Sequence, residues 1–461
     1  MSRLRFLRVA ASSLLRQPDE MSRTSTTASE GVLPSGFLLG AATSAHQVEG
    51  GNENDWTEWE LSAYPDGRPH IHDGSVSGAA CDSWNLFEED LRCLRELGAN
   101  AYRFGVEWSR LEPEEGAWNT AAAERYGTWL SSLRAAGIQS MVTLMHFTLP
   151  SWVARDGGWL NEKTVDRFGR FVERVAAALG DRVDLWCTVN EPNVAAAFGY
   201  VTGEWPPGRT HPAEGMRAIL GQLQGHARAS RILRERTGRP VGLAHHVRIF
   251  EPARARRVDR ILTALTDDSF NQSIVDALLT GRVQLYLPGQ VSIDEHVPGL
   301  AGSADYLGLN YYSRDRLQAD LREPALSRRF APPGRPTNDL GWDIYPDGLE
   351  WVLLRWGNSG LPLYVTENGI ADAEGTRRAD FLREHIRALR RALAQGIDVR
   401  GYFHWSLLDN FEWAEGYRGR FGLYRVDFQR PDKPRTPTSG VPAFQQIARE
   451  LGLQPTSPLP R

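Results

Sequence analysis

Two segments of the sequence each place a glutamate beside an asparagine directly after a run of β-branched residues. Glu191 lies in CTVNEP at 187–192, and Glu367 lies in YVTENG at 364–369. In each segment a proline or a glycine then ends the predicted strand. Two carboxyl groups facing each other across a cleft are what hydrolysis of a glycosidic bond needs. One protonates the leaving oxygen, and the other attacks the anomeric carbon or activates water.

The segments around these glutamates alternate between strand and helix patterns. Short apolar runs without sustained alternation are typical of parallel strands buried on both faces, and they lie at 37–43, 100–106, 139–145, 184–190, 240–247, 305–311, 362–367 and 399–405. Amphipathic helical patterns lie at 84–97, 119–136, 162–179, 213–237, 255–279, 345–358, 376–395 and 441–451. This order, without a composition break, predicts an α/β fold with a single (β/α)8 TIM barrel. A doubly wound sheet is the alternative, but no G-x-G-x-x-G follows an early strand.

The predicted strand ends carry polar and aromatic residues. In a (β/α)8 barrel the chemistry collects at the carboxyl ends of the strands and in the loops just after them. The residues at these positions are Gln47, Glu49, Arg103, Glu107, His146, Asn190, Glu191, His245, His246, Asn310, Tyr311, Tyr312, Glu367, Asn368 and Trp405. Arg103 is expected to keep a nearby carboxylate ionised and to lower its pKa. A purely structural ion pair is the other interpretation of Arg103.

Composition excludes several classes of protein. The 53 Lys+Arg against 57 Asp+Glu give a net charge of −4, which argues against a nucleic-acid partner. Hydrophobic residues at 41% and charged residues at 24% indicate a folded, soluble protein. No apolar run approaches the roughly 20 residues that cross a bilayer, so no membrane partner is expected. Cys81, Cys93 and Cys187 form no CxxC pair and are interpreted as reduced core residues of a cytosolic protein.

The two ends of the chain differ from the rest. Residues 1–31 are rich in arginine, serine and threonine without periodicity, which predicts a disordered basic tail. The run at 9–15 is a weak signal-peptide candidate, because two serines interrupt it and no A-x-A site follows. A cytoplasmic location is therefore predicted, with translation starting at either Met1 or Met21. Residues 453–461 are predicted to form a second disordered tail.

Eight motifs occur in order along the chain. They are FLLGAATSAHQVEG at 37–50, YRFGVEWSRLEP at 102–113, TLMHFTLPSW at 143–152, TVNEPNV at 188–194, LGLNYYSR at 307–314, GWDIYPDGL at 341–349, LYVTENGIAD at 363–372 and WSLLDNFEWAEGYRGRFGLY at 405–424. With these motifs the sequence resembles glycoside hydrolase family 1, the retaining β-glycosidases, over residues 32–452. The resemblance implies a (β/α)8 catalytic domain over that range. It also implies small β-glycosides or oligosaccharides as substrates, with no cofactor and no metal.

The resemblance also implies roles for individual residues. Glu191 matches the family's acid/base and Glu367 its nucleophile, with Arg103, Tyr312 and Asn310 in support. Sugar-binding positions of the family are matched by Gln47, His146, Asn190, Glu412 and Trp413. Trp405 matches a stacking floor, and Trp342 matches a platform on the aglycone side.

These matches predict a retaining exo-β-glycosidase that removes terminal, non-reducing β-D-glucosyl residues, and β-galactosyl or β-fucosyl residues as well. A 6-phospho-β-glycosidase is an alternative, but Glu412 would repel the phosphate dianion. An inactive sugar-binding relative is a second alternative, although such a protein should have lost one of the two glutamates.

A metal-dependent barrel hydrolase is a further alternative, because His70 and His72 form an HxH pair and His245 adjoins His246. The HxH pair lies in the turn-rich loop PDGRPHIHDG, and no Lys or Asp ligand set completes it. Two departures from the family, His46 and Thr148, leave the sugar preference open. The aglycone, the balance of hydrolysis against transglycosylation, and a homo-oligomeric state also remain open.

Overall fold

The first described residues of the chain contact a helix in its C-terminal half. The structure is a computed structural model that describes residues 30–454 except 288, 321 and 324. Both predicted tails therefore lie almost entirely outside the described residues. At the first described residues, the Gly31 N–H donates to the Arg390 carbonyl at 3.0 Å.

Eight parallel strands close into a barrel, which confirms the predicted fold. The strands are β1 Leu38–Ala42, β2 Ala101–Gly105, β3 Gln139–Met145, β4 Leu185–Asn190, β5 Val241–Pro252, β6 Tyr306–Ala319, β7 Leu363–Asn368 and β8 Val399–Trp405. Neighbours pair in chain order. The barrel closes where β8 pairs with β1, from Leu38 opposite Gly401 to Ala42 opposite Trp405. The residues of β1, β2, β4 and β7 are all buried, which explains their continuous apolar runs.

Two strands run well past their predicted ends. β5 continues to Pro252 and β6 to Ala319, and the two stay paired as far as Pro252 opposite Leu317. The short strand Ser327–Phe330 pairs antiparallel with the end of β6. This extension forms a wall above the carboxyl ends of the barrel strands.

Helices lie between successive strands, as predicted. They are α1 Ser83–Leu97, α2 Thr120–Ala135, α3 Lys163–Leu179, α4 Pro212–Thr237, α5 Arg257–Asp267, α6 Ser273–Thr280, α7 Asp347–Trp356, α8 Arg378–Ala394 and α9 Gly440–Glu450. Each long helix buries one stripe; in α3 the stripe includes Phe168, Val172 and Val175 at helical spacing. Within the described ranges, no helix has the length and apolar character to span a membrane.

The predicted helix at 255–279 is interrupted. The π-helical turn Asp268–Gln272 separates α5 from α6. Asn271 in this turn is fully buried, and its side chain donates to the Arg248 carbonyl at 2.7 Å and accepts from the Arg248 N–H at 3.2 Å. The widened turn brings the Asn271 side chain into contact with β5. The helical periodicity of the sequence did not indicate this contact.

Short elements that the sequence analysis did not predict fill the loops. They are the helices Ala45–Val48, Asp55–Glu60, Trp108–Leu111, Ser151–Arg155 and Pro192–Ala196, the 3₁₀ turns Gly158–Leu160 and Trp413–Glu415, the π turn Ala197–Thr202, and the paired strands Arg282–Leu287 with Val291–His296 and Tyr424–Val426 with Arg435–Pro437. The three cysteines are buried and carry free thiols, as expected.

Candidate active site

The two strand-end glutamates line one pocket. Glu191 directly follows β4, Glu367 lies near the end of β7, and the pocket that they share has a volume of about 270 Å³. Both residues are more than nine-tenths buried. Glu191 has φ +47°, in the left-handed region, and this sharp turn leads from β4 into the short helix that begins at Pro192. The strand-end positions thus bring both carboxyl groups to the same face of the barrel.

Each oxygen of Glu367 has its own donor. Arg103 Nη1 lies 2.5 Å from Oε1, and Tyr312 Oη donates to Oε2 at 2.7 Å. Arg103 comes from β2 and Tyr312 from β6, and both side chains are buried. These two contacts hold the carboxyl group in one orientation.

Arg103 acts to lower the pKa of Glu367, as predicted, but burial of the carboxyl group outweighs this effect. Burial raises the pKa of Glu367 above its ordinary value, and the charge of Glu191 adds to the rise. Arg103 and Tyr312 act in the predicted direction but only offset part of this effect. The cause is the burial of the group, which penalises the charged form.

Glu191 has a different set of partners. Its Oε1 accepts from Asn310 Nδ2 at 2.7 Å and lies 2.9 Å from His246 Nδ1. Asn310 is itself fixed, because its Oδ1 accepts from Thr366 Oγ1 at 2.6 Å. No arginine forms an ion pair with Glu191 among the described residues, in contrast to Glu367. The two carboxyl groups are therefore held in chemically distinct surroundings.

His246 was not predicted as a site residue. The sequence places it among the polar residues at strand ends and, with His245, in a possible metal site, but assigns it no contact with Glu191. In the barrel His246 lies opposite Asn310 in the register of β5 and β6, and both contact Glu191. The recurrence of polar residues at strand ends was the signal that could have identified it.

Asn190 connects the two halves of the site. Its Oδ1 accepts from Arg103 Nη2 at 2.6 Å and from Asn310 Nδ2 at 3.1 Å, and its Nδ2 lies 3.2 Å from His146 Nε2. Through Asn190, the partner of Glu367 and the partner of Glu191 belong to one hydrogen-bond network. A shift of either carboxyl group would disturb this network.

Aromatic rings form one wall of the pocket. His146 stacks on Trp405 with ring centroids 5.7 Å apart and on Trp413 with centroids 6.0 Å apart. Burial, followed by the charge of Arg103, lowers the pKa of His146, so its ring is neutral. His146 Nδ1 has no hydrogen-bond partner among the described residues. His146 lines the pocket, and its neutral imidazole can form a hydrogen bond with a hydroxyl ligand.

Gln47 and Glu412 form a hydrogen bond at the edge of the pocket. Gln47 is fully buried, and its Nε2 donates to the Phe411 carbonyl at 2.9 Å and to Glu412 Oε2 at 3.3 Å. Glu412 lines the pocket. Burial and then the charge of Glu367 raise the pKa of Glu412 to about 8, whereas a hydrogen bond with Trp405 opposes this rise. Gln47 thus orients a pocket-lining carboxyl group.

Trp342 lies at the other end of the pocket. It packs edge-on against Tyr312 with centroids 5.8 Å apart. Trp342 and Trp405 therefore both line the pocket, and Tyr312 lies next to Trp342.

The histidines considered for a metal site have other partners. His70 stacks on Trp59, His72 lies 3.3 Å from Glu415, and His245 Nε2 lies 2.9 Å from the Asn271 carbonyl. Across residues 30–454, apart from the three undescribed positions, no group of three metal-binding side chains occurs.

A closed (β/α)8 barrel with two carboxyl groups in one aromatic-walled pocket defines a barrel hydrolase of the glycosidase class. The chain belongs to glycosyl hydrolase family 1, whose family model matches residues 29–453.

Individual relatives agree with this assignment. Beta-glucosidase A of Thermotoga maritima is 33% identical, over 86% of this chain and 93% of that relative. The bifunctional beta-D-glucosidase/beta-D-fucosidase of Bifidobacterium breve is 33% identical, over 87% and 95%. The solved structure of the beta-glycosidase from Pyrococcus horikoshii superposes with a TM-score of 0.83 at 35% identity, covering 92% and 96%.

Proposed function

We propose that this protein is a retaining exo-β-glycosidase that hydrolyses terminal, non-reducing β-D-glucosyl residues of small β-glycosides. The observation that carries the proposal is the pair Glu191 and Glu367 in one pocket with unequal partners. The names of the similar beta-glucosidases and of the beta-D-glucosidase/beta-D-fucosidase support this substrate class. Acceptance of β-galactosyl and β-fucosyl residues, a cytoplasmic location and a homo-oligomeric state belong to the same proposal.

The proposed reaction has two displacements. Glu367 attacks the anomeric carbon while Glu191 gives its proton to the leaving oxygen, which forms a glycosyl ester and a free aglycone. Glu191, now a carboxylate, then takes a proton from water, which attacks the same carbon and releases Glu367. Arg103 and Tyr312 stabilise the carboxylate of Glu367 before attack and when it departs.

The sugar is held by the remaining predicted residues. His146 is proposed to bind a sugar hydroxyl, Asn190 is proposed to contact the 2-hydroxyl, and Trp405 provides the stacking floor. Glu412 accepts hydrogen bonds from the 4- and 6-hydroxyls, with Gln47 and Trp413 beside it, and Trp342 supports the aglycone.

A panel of aryl β-glycosides tests the proposal. We expect hydrolysis of β-glucosides, β-galactosides and β-fucosides, near inactivity toward their 6-phosphates, and release of the β-anomer first, as followed by NMR. Retention requires the carboxyl groups of Glu191 and Glu367 to lie about 5–5.5 Å apart. An α-anomer as first product would exclude the covalent mechanism, and a preference for 6-phosphates would exclude the substrate class.

Replacing Glu412 by serine tests how the enzyme discriminates against phosphate. Loss of two hydrogen bonds to the sugar should lower kcat/KM for β-glucosides, and the decrease should correspond to a loss of about 2–4 kcal/mol of transition-state stabilisation. Little activity toward 6-phosphates should appear, because the substitution supplies no Lys–Tyr pair to hold the phosphate. A variant that prefers the 6-phosphate would show that Glu412 alone sets this specificity.

Replacing His246 by leucine tests the contact that sequence reasoning missed. The hydrogen bond to Glu191 is lost, and we expect kcat/KM for substrates with poor leaving groups to fall about tenfold. His246→Asn is the matched control, because its amide nitrogen takes the place of Nδ1 and should keep most of the activity. Equal losses in the two variants, at unchanged melting temperatures, would contradict a role for this hydrogen bond.

A further inference from the structure

The pocket carries two arginines that the proposed reaction does not use. Arg248 and Arg329 both line it, beside Trp342 and Phe198. Arg248 lies on the extension of β5 and Arg329 on the strand Ser327–Phe330 that continues the same wall. The wall above the carboxyl ends of the strands is therefore positively charged where it faces the pocket.

Arg248 is nine-tenths buried and incompletely paired. Its Nε lies 2.9 Å from Asp315 Oδ2 in an ion pair without hydrogen-bond geometry, and its guanidinium lies 5.4 Å from the centre of the Trp342 ring. Its terminal nitrogens make no hydrogen bond to any described residue. Because a buried guanidinium is costly unless its donors are used, these nitrogens are suited to an anionic group of a ligand.

The charges around Arg248 show where this group would bind. Burial lowers the pKa of Arg248, and the charge of Arg329 adds to the effect, whereas Asp315 and Glu191 oppose it. Arg248 therefore lies close enough to Glu191 to respond to its charge. Glu191 is the proposed acid for the leaving oxygen, and it lines the same pocket as Arg248 and Trp342, so these two residues are available to the substituent on that oxygen.

The acidic residues that also line the pocket have other partners. Glu415 forms ion pairs with His72 and Arg418, and Glu204 acts on the pKa of Tyr64. None of these partners is Arg248 or Arg329, so neither arginine is neutralised by Glu204 or Glu415.

We propose that the aglycone side of this pocket selects β-glycosides whose leaving group is a planar ring bearing a carboxylate. Trp342 packs against the ring, and Arg248 and Arg329 pair with the anion. This inference rests on the proposed glycosidase function and names the class of aglycone that the function alone leaves open.

The test compares 4-carboxyphenyl β-glucoside with its neutral analogue, 4-carbamoylphenyl β-glucoside. The ratio of the two kcat/KM values is measured in the wild type and in Arg248→Gln/Asp315→Asn, in which no buried charge is left unpaired. Dividing the ratio for the wild type by the ratio for the double variant cancels the effect that the different acidities of the two phenols have on the rates. We expect the preference for the carboxylate substrate to be about tenfold smaller in the double variant than in the wild type. Most of this change should come from a higher KM for the carboxylate substrate rather than from a lower kcat.

Two single variants refine the test. Arg329→Gln should reduce the preference about threefold, because an exposed charge contributes less. Arg328→Gln, the neighbour on the same strand that does not line the pocket, should leave it unchanged. A 4-sulfophenyl β-glucoside distinguishes a general preference for anions from one for carboxylates; equal preference for both would overturn the specific choice of carboxylate.

The outcomes separate this inference from the function on which it rests. Hydrolysis of the neutral glucoside with the same substrate ratio in wild type and double variant would overturn the inference alone. Failure of the wild type to hydrolyse either glucoside would overturn the proposed function and the inference together.

Discussion

Replacing Glu367 by alanine should lower kcat on every β-glycoside by several orders of magnitude. The reason is that the first displacement needs this carboxylate to form the bond to the anomeric carbon. The loss should not depend on the leaving group, since even a good one needs a nucleophile. Azide added to the variant should restore turnover of a dinitrophenyl glucoside and yield the α-glucosyl azide, because the small anion attacks from the vacated side.

The isosteric variant Glu367→Gln is the control for folding. It retains acceptor and donor atoms toward Arg103 and Tyr312, and it should have the same low activity at a melting temperature close to that of the wild type. Substantial kcat in either variant, or a β-glucosyl azide as the rescue product, would show that Glu367 is not the nucleophile.

Replacing Glu191 by alanine should have an effect that depends on the leaving group. Alkyl and weakly activated aryl glucosides should lose several orders of magnitude in kcat/KM, because their leaving oxygen needs a proton. Dinitrophenyl glucosides should lose far less in the first step, and their glycosyl ester should accumulate because no base activates water. Azide should then speed turnover and yield the β-glucosyl azide.

A plot of log kcat/KM against the pKa of the leaving phenol measures this dependence. A steep slope in Glu191→Ala beside a shallow one in the wild type is the expected result. Parallel lines would contradict the assignment of Glu191 as the acid. Glu204 also lines the pocket, and Glu204→Ala is the control variant. Its line in this plot should be parallel to that of the wild type.

The parts of this molecule that follow local rules could be predicted from sequence. The barrel strands are short apolar runs because they are buried on both faces, and Glu191 and Glu367 were identifiable because strand ends are where such barrels carry chemistry. Arg103 and Tyr312, which the family resemblance places beside Glu367, both contact its carboxyl group.

What could not be predicted depends on contacts between distant segments. The raised pKa of Glu367 results from enclosure by the whole barrel, which no single motif indicates. His246 contacts Glu191 through the pairing of β5 with its neighbours, and Asn271 interrupts a helix to contact β5. The basic wall of Arg248 exists only because β5 and β6 extend past their predicted ends.

The closure of the barrel between β1 and β8 has a consequence for how the chain acquires its activity. Gln47, just after β1, bonds to Asn410 and Phe411, just after β8, so this part of the pocket forms only when the two ends of the domain have met. Contacts of such long sequence separation are slow to form. During refolding, secondary structure should therefore return before affinity for the sugar. The recovery of sugar binding should follow closure of the barrel rather than formation of its individual strands.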